Sequence, residues 1–248
     1  MWIKKVVYIS LLLFASFIAI EYGKQLEHLN ELNKQLRIAL DHEQHKEIMF
    51  KINAGANSNT PNAKGLTALM IAAKNGQLNL LQWLINRKLK HHNVPNLDAE
   101  TPWDQPHAGK PALSFALEAK NLDAVKLLVE AGANVNLYND LRTVENLETI
   151  PEGLRQRNVP LLTYAIGRKL PMAFINILLS AKNVDVNKKT FLGTATPLMI
   201  AAAIGYEQAA KTLLDAGADK EIINTRDNKK AIDYARDAGY EEIVKLLS

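Results

Sequence analysis

Histidines among acidic residues are the side chains of this sequence whose types and spacing could do chemistry. His42 and His45 are three residues apart, with Asp41, Glu43 and Glu47 beside them, and imidazole and carboxylate groups are common zinc ligands. The order is not the HExxH of zinc proteases, and a lysine interrupts the group. We therefore interpret the segment as a solvated polar turn between two helices, and we expect no metal ion and no cofactor.

The remaining candidates for chemistry also lack a supporting pattern. His91, His92 and His107 fall in one proline-rich stretch, without the fixed scaffold that a metal site needs. The chain contains no cysteine, which excludes a thiol nucleophile and cysteine zinc ligands. Glu241 and Glu242 are adjacent on what the pattern indicates is a solvated helix, and the sequence has no nucleophile elbow and no phosphate-binding glycine loop. The sequence predicts a protein that is not an enzyme.

A hairpin of two short helices is the element on which the rest of the chain is built. Residues 196–219 read TPLMIAAAIGYEQAAKTLLDAGAD: a turn, an apolar helix, a break at Gly205, a second helix and a Gly-Ala stop. Such a unit cannot bury its apolar faces alone and needs neighbours of the same kind. Five more copies occur, and the last residues of the first helical motif in the six copies are Leu40, Ala73, Leu117, Ile166, Ala202 and Arg236.

These copies resemble the ankyrin repeat. Their spacings are 33, 44, 49, 36 and 34 residues, and a base period near 33 with helix–turn–helix content is typical of that family. The motifs with the best match are Gly65-x-Thr67-Ala68-Leu69-x-x-Ala72-Ala73, Thr196-Pro197-Leu198-x-x-Ala201-Ala202 and Gly132-Ala133-x-x-Asn136. The resemblance implies an all-α solenoid of about six helix-turn-helix repeats over residues 36–248, with insertions at 88–109 and 138–158.

Four positions depart from the family pattern. Met70 and Met199 stand where the family usually has histidine, so the hydrogen bonds of that side chain to the hairpin are expected to be missing. Lys88 and Ala181 replace the glycine of the stop after the second helix. That glycine normally permits a left-handed backbone, so these two helix ends are expected to close in a different way.

Residues 1–23 are predicted to be a membrane anchor or a signal peptide. Residues 6–20 carry no charge and follow Lys4 and Lys5, which fits the core of a signal peptide and falls slightly short of a typical membrane span. Small residues are missing where cleavage would need them, which favours an uncleaved anchor. The lysines favour a cytoplasmic N-terminus. The repeats are therefore expected outside an inner membrane, in the periplasm of a Gram-negative host; a cleaved chain would be secreted or periplasmic.

Residues 24–35 are predicted to form a linker or capping helix. Leucines recur every three or four residues, as on one stripe of a helix, at Leu26, Leu29, Leu32, Leu36 and Leu40. A short dimerising coiled coil and a helix that covers the first repeat both fit this pattern. A coiled coil normally needs about three or four heptads, and the stretch is too short for them. The capping interpretation is favoured, and a monomer is expected.

The resemblance implies a binding surface formed by the hairpin tips and first helices of neighbouring repeats. The chain has 30 basic and 26 acidic residues, a net charge of +4, and it contains no long run of like charges, so nucleic-acid binding is not indicated. Trp103 in the first insertion is a candidate contact, because tryptophan is enriched in binding hot spots; packing on a neighbouring repeat explains it equally well. The family's contact positions map onto Lys64, Leu66, Lys74, Asn75, Glu118, Arg168 and Ile204.

The resemblance implies a non-catalytic protein–protein interaction module that is held at the membrane or exported across it. A specific form is an inhibitor or immunity protein that blocks a toxic enzyme at that membrane face. The alternatives are a secreted effector that binds host proteins and an accessory protein that stabilises a periplasmic enzyme. In each case the expected partner is a protein on the concave face and the insertion loops, and residues 6–20 contact the membrane while the leader is retained.

Overall fold

Six pairs of α-helices follow one another in the described part of the chain. The structure is a computed structural model that describes residues 2–86, 94–102, 104, 107–140, 158–190 and 194–248, without the side chains of residues 2–16, 139, 140 and 158. The pairs are α1 (Trp2–Asp41) and α2 (His45–Asn53), α3 (Ala68–Lys74) and α4 (Leu78–Asn86), α5 (Ala112–Glu118) and α6 (Leu122–Glu130), α7 (Leu161–Gly167) and α8 (Met172–Leu179), α9 (Pro197–Ala203) and α10 (Glu207–Asp215), and α11 (Ala231–Asp237) and α12 (Glu241–Leu247). Two short strands, β1 (Tyr138–Asp140) and β2 (Asn158–Pro160), lie between α6 and α7. The predicted all-α repeat architecture is confirmed.

Threonine side chains cap the N-termini of α3 and α9, which are the first helices of the second and fifth pairs. The Thr67 hydroxyl accepts a hydrogen bond from Met70 N at 3.4 Å, and the Thr196 hydroxyl accepts one from Met199 N at 3.3 Å. Both threonines thereby satisfy a backbone donor that the first helical turn leaves open. The Met70 sulfur also accepts a hydrogen bond from Thr67 N at 3.5 Å. The prediction that this side chain lacks a hydrogen bond to the hairpin is therefore wrong for Met70, because a thioether sulfur is a weak acceptor.

The two helices of a pair meet at a residue with a left-handed backbone. Gly76 and Gly205 have φ angles of +65° and +67° at this turn, a region that glycine adopts without strain. Lys120 and Lys169 occupy the same turn in the third and fourth pairs, with φ angles of +51° and +46°. At Gly205 a Cβ would lie 2.4 Å from Cε1 of Tyr240. The turn of the fifth pair therefore packs closely on the residue that precedes α12.

First helices pack on first helices, and second helices pack on second helices. Helix α3 packs on α5, α9 lies between α7 and α11, and α6 lies between α4 and α8. The first helices present small side chains to one another, and fully buried alanines occur in five of them, at Ala72, Ala116, Ala165, Ala201 and Ala235. Isolated helices of seven to nine residues are not stable in water. The pairs therefore depend on the continuous apolar core that their stacking creates.

Asparagine and aspartate side chains connect the turns that precede neighbouring pairs. In each contact a backbone N–H of a turn donates to the side-chain Oδ1 of a residue from the preceding repeat unit or from α1, and the distances are 2.6–2.9 Å. The donor and acceptor residues are Asn57 and Asn33, Asn96 and Asn59, Asn134 and Asp98, Asp185 and Asn136, and Asp219 and Asn187. The first acceptor, Asn33, belongs to α1. Helix α1 thus takes the place of a preceding turn at this end of the stack.

Helix α1 is continuous across the boundaries predicted at residues 23 and 35. Leu32, Leu36 and Leu40 are buried in the core, whereas Leu26 and Leu29 are exposed, as are all residues from 17 to 31. The leucine stripe therefore covers the first repeat only from Leu32 onward. The predicted anchor at 6–20 falls mostly on residues whose side chains lie outside the described part. Within the described residues, none of the helices has the length and apolar character needed to cross a membrane.

The structure describes the predicted insertions only in part. In the first, Thr101 fixes the turn before α5, because its N–H donates to Lys110 O at 3.2 Å and its hydroxyl donates to His107 O. In the second, β1 pairs with β2 in antiparallel register, and residues 141–157 lie outside the described residues. Lys88 also lies outside them. At Ala181 the end of α8 closes through a hydrogen bond from its N–H to Leu178 O at 3.3 Å.

Candidate interaction surface

The C-terminal ends of the first helices in the second, third and fourth pairs carry charged side chains. Lys74 is the last residue of α3, Glu118 is the last residue of α5, and Arg168 follows directly after α7. Lys74 and Arg168 are exposed, and Glu118 is half-buried. The carbonyl end of a helix favours a nearby cation, which makes this a suitable place for lysine and arginine.

Lys64 reaches the same side of the molecule from the turn before α3. The Asn62 side chain holds this turn, because its Oδ1 accepts hydrogen bonds from Lys64 N at 3.0 Å and from Leu66 N at 2.9 Å. Gly65, with a φ of +75°, provides the left-handed step between the two donors. Lys64 is exposed, whereas Leu66 turns into the core.

A buried ion pair joins the turn before α5 to the last residue of that helix. Lys110 Nζ lies 2.7 Å from Glu118 Oε1, and the lysine side chain is 3% exposed while the glutamate side chain is 28% exposed. Lys110 N donates to the Thr101 hydroxyl at 3.0 Å, which fixes the backbone of the lysine. A buried ammonium group needs a counter-charge, so Glu118 is committed to this contact.

His107 lies in the middle of this group of charges. Its ring packs edge-on against Phe115 of α5, with centroids 5.3 Å apart. Burial lowers the pKa of His107, and the nearby Lys74, Lys110 and Lys64 lower it further, while the single acid Glu118 raises it. Burial first, and the positive charges around the ring second, therefore favour the neutral form of the imidazole.

Tyr164 continues the surface from α5 to α7. It is 6% exposed, and burial together with the Glu118 charge raises the pKa of Tyr164 to about 12, against a smaller opposing effect of Arg168. The Arg168 side chain forms a hydrogen bond with Tyr164. Lys64, Lys74, His107, Lys110 and Arg168, together with Glu118, therefore form one surface over three repeats, which we call the cationic surface.

The structure brings together four of the eight residues predicted as partner contacts, namely Lys64, Lys74, Glu118 and Arg168. Asn75 lies beside Lys74, where its Nδ2 donates to Glu43 Oε2 at 2.7 Å. Leu66 and Ile204 are 3% and 4% exposed. Their side chains belong to the apolar core, and neither offers surface to a partner. Trp103 lies outside the described residues.

Sequence reasoning missed Lys110, His107 and Tyr164 as members of this surface. Lys110 lies two residues before the first helix of its pair, as Leu66 does in the second pair, and this equivalence could have identified it. His107 was considered only as a metal ligand. Among the described residues, no group of three or more histidine, cysteine, aspartate or glutamate side chains is arranged to hold a metal ion.

Comparison with known proteins gives a consistent family relationship. A family profile described as "Ankyrin repeats (3 copies)" matches residues 36–139 and 162–248. The nuclear factor NF-kappa-B p105 subunit of Gallus gallus is 30% identical over 206 residues, which cover 82% of this chain and 18% of that protein. The chain thus spans less than a fifth of the length of this relative, so the relative's activity and partners cannot be transferred to it as a whole.

Solved structures agree on the fold. One is titled as the Bd0816 predatory endopeptidase from Bdellovibrio bacteriovorus in complex with immunity protein Bd3460; the match has a TM-score of 0.62 and 23% identity, and covers 86% of this chain and 96% of that one. Another is the ankyrin repeat domain of Bcl-3, with a TM-score of 0.65 and 21% identity, covering 86% of this chain and 80% of that one. At these identities the likeness establishes a shared fold.

Proposed function

The chain belongs to the ankyrin-repeat family, and on this premise we propose that it is a non-catalytic module that binds a protein partner through the cationic surface and the adjoining turns. The observation that carries the proposal is the row of charged side chains contributed by three consecutive repeats. Stacked repeats create extended surfaces of this kind, on which each repeat adds a few contacts. The family's proteins bind other proteins with such surfaces.

We infer further that the module acts as an inhibitor, in the manner of an immunity protein. The support is the likeness in fold to a structure whose title describes an endopeptidase in complex with an immunity protein, which is an argument from fold analogy. A rigid stack with a charged side suits this task, because preorganised surfaces lose little conformational entropy when they bind.

The experiment starts from the full chain, tagged after Ser248 and cross-linked in cells of its own host. Proteins recovered with it are identified by mass spectrometry, and each is then purified. The enzymatic activity of every recovered enzyme is measured with and without the full chain. An inhibitor lowers the activity at one-to-one stoichiometry, whereas an accessory protein raises the activity or the half-life of the enzyme.

Two outcomes would reject the inhibitor form. Recovery of partners whose activity is unchanged by stoichiometric chain would leave a binding module without inhibition. Recovery of proteins from an infected host, and none from the producing cell, would favour a secreted effector.

A control variant tests contacts that do not involve the cationic surface. In it, Lys126 and Lys211, on the second helices α6 and α10, are both replaced by glutamate.

We propose that the repeats operate outside the inner membrane, with residues 6–20 as the anchor. The support is the uncharged stretch that follows Lys4 and Lys5, and the positive-inside rule gives the orientation. A reporter enzyme that is active only in the cytoplasm, fused after Ser248, should be inactive; an active fusion would contradict the orientation. The intact mass of the purified chain decides between a retained anchor and a cleaved signal.

A further inference from the structure

We propose that Asn75 is a site of spontaneous deamidation, and that the contact between the turns of the first and second pairs controls the reaction. Asn75 and Gly76 form the only Asn-Gly pair in the sequence, and Asn75 is exposed. A glycine after asparagine favours this reaction, because it has no side chain to hinder the attack of its backbone nitrogen. The inference concerns the free chain and does not depend on the partner that the chain binds.

The reaction needs only water as a second reactant. The backbone nitrogen of Gly76 forms a bond to Cγ of Asn75 while the bond from Cγ to the side-chain nitrogen breaks, and the proton of the backbone N–H leaves with that nitrogen as ammonia. Water then opens the resulting succinimide ring at either carbonyl carbon. The products are aspartate and isoaspartate, and each carries a negative charge at neutral pH where the amide carried none.

The susceptible pair of residues occurs at one turn, and the fold requires its glycine. Gly76 has a φ of +65°, and a Cβ there would lie 2.8 Å from Nδ2 of Asn121, so a larger residue that would slow the reaction does not fit. In the third to sixth pairs the residue that follows the first helix is not an asparagine. Those residues are Ala119, Arg168, Ile204 and Ala238.

The folded turn keeps the two reacting atoms apart. Asn75 has a ψ of +3°, which places the Gly76 nitrogen and the Asn75 Cβ well apart around the Cα–C bond, whereas a five-membered ring needs them nearly eclipsed. The rotation breaks the bond from Gly76 N to Ala73 O, which at 3.4 Å is already long. The stronger restraint is on the amide, because Asn75 Nδ2 donates to Glu43 Oε2 at 2.7 Å. Deamidation therefore proceeds from a locally opened turn.

The junction between the first and second pairs is suited to such opening. A cavity of about 480 Å³ separates α2 from the start of α4, and it is lined by His45 and Met49 on one side and by Gly76 and Gln77 on the other. Helices α2 and α4 pack less closely than any later neighbours among the second helices, such as α4 and α6. Water thus reaches the turn, and the first pair, at the end of the stack, can separate at low cost.

The product changes the contact from attractive to repulsive. A carboxylate at position 75 replaces the donor to Glu43 with an acceptor of like charge. Asn75 and Glu43 are exposed, so water and the adjacent Lys74 reduce the repulsion, and the repeats remain folded. The reaction therefore converts a transient separation of the first pair, which includes α1, into a lasting weakening of its contact with the second pair.

The experiment follows Asn75 in the purified full chain at mildly alkaline pH, with peptide mass spectrometry that separates aspartate from isoaspartate. The chain unfolded in urea gives the rate without the turn, and folding should slow the reaction by at least about tenfold. Glu43→Ala removes the acceptor of the amide and should raise the rate in the folded chain by about fivefold. Equal rates in the folded and unfolded chains, or no reaction in folded Glu43→Ala while the unfolded chain reacts fully, would overturn the proposal.

Two variants serve as matched controls. Glu43→Gln keeps an acceptor oxygen at the same place, and Glu47→Ala removes a carboxylate of α2 that lies 3.0 Å from Lys51 Nζ. Both should react within about twofold of the wild-type rate. Glu47→Ala and Glu43→Ala make the same change in net charge, so an equal acceleration in these two would show that the contact with Asn75 does not control the reaction.

Asn75→Asp tests the consequence of the reaction directly. Amide hydrogen exchange in α2 should become about threefold faster, while exchange in α12, at the far end of the stack, should not change. Adding Glu43→Gln gives the new carboxylate a neutral amide donor and should restore the wild-type exchange in α2. Without that rescue, the acid at position 75 would act through some other contact, and the weakening inferred for this one would be wrong.

Discussion

The buried ion pair between Lys110 and Glu118 gives the sharpest prediction on stability. The substitution Glu118→Gln leaves the 3%-exposed ammonium group of Lys110 without its counter-charge, and the neutral amide retains one acceptor atom at the same place. Breaking a buried ion pair from one side costs roughly 3–5 kcal/mol. Because the Glu118 side chain is 28% exposed and water reaches it, we expect a destabilisation of about 2 kcal/mol.

The reverse substitution should be much milder. Lys110→Met keeps the apolar stem in its buried site, and the backbone bond from Lys110 N to the Thr101 hydroxyl at 3.0 Å is unaffected. Glu118 loses this one contact, but its side chain is 28% exposed and water reaches it, so the expected cost is below about 1 kcal/mol. The double variant Lys110→Met/Glu118→Gln should resemble Lys110→Met alone.

Urea unfolding followed by circular dichroism measures these differences. With a slope of about 2 kcal/mol per molar urea, Glu118→Gln should lower the midpoint by about 1 M. The double variant should restore most of that loss. If Lys110→Met lowered the midpoint as much as Glu118→Gln, the ammonium group would not be the buried and dependent partner, and the reasoning would be refuted.

Three further predictions follow from particular contacts. In urea unfolding, Gly205→Ala should lower the free energy of unfolding by about 1 kcal/mol more than Gly217→Ala. Both glycines have positive φ, but only a Cβ at Gly205 meets a ring, that of Tyr240. Equal losses in the two variants would contradict this. The pKa of His107 is lowered in the folded state, chiefly by burial, so protonation favours the unfolded chain and the thermal midpoint should fall as the pH drops below about 6.5. His107→Asn should flatten that slope, and parallel slopes would refute the assignment. Within the described structure Ser114 Oγ is buried and lacks a hydrogen-bond partner, so Ser114→Ala should leave the urea midpoint unchanged or raise it, and a clear fall would show that the hydroxyl is paired.

The repeats were predictable because their information is local. Each copy carries its own turn, its alanine-rich first helix and its leucines, and the positions of Ala72 and Ala201 in the motif already placed them in the core. The boundaries in α1 were not predictable in the same way. The predicted anchor segment ends at residue 23, which is a glycine, but one glycine costs a helix only about 1 kcal/mol, and the helix continues through it.

The cationic surface was only half predictable. Mapping family positions found Lys64, Lys74, Glu118 and Arg168, whose places follow from the repeat itself. It also produced Leu66 and Ile204, where apolar side chains take the same positions and turn inward. The mapping ignored side-chain chemistry, which decides whether a position faces water. His107 belongs to the insertion predicted at 88–109, and no local pattern shows which part of an insertion folds back on the stack. Lys110 directly follows that insertion.

The continuous α1 has a mechanical consequence. Residues 17–31 leave the stack as exposed helix of about 22 Å, at about 1.5 Å per residue, and Leu32, Leu36 and Leu40 join this stem to the first repeat without a flexible joint. A rotation or tilt of residues 17–31 would thus rotate or tilt the whole stack of repeats with it. If residues 17–31 are held in place, the orientation of the repeats is fixed. Replacing residues 24–28 with glycines would make the helix flexible there, and this fixed orientation would be lost.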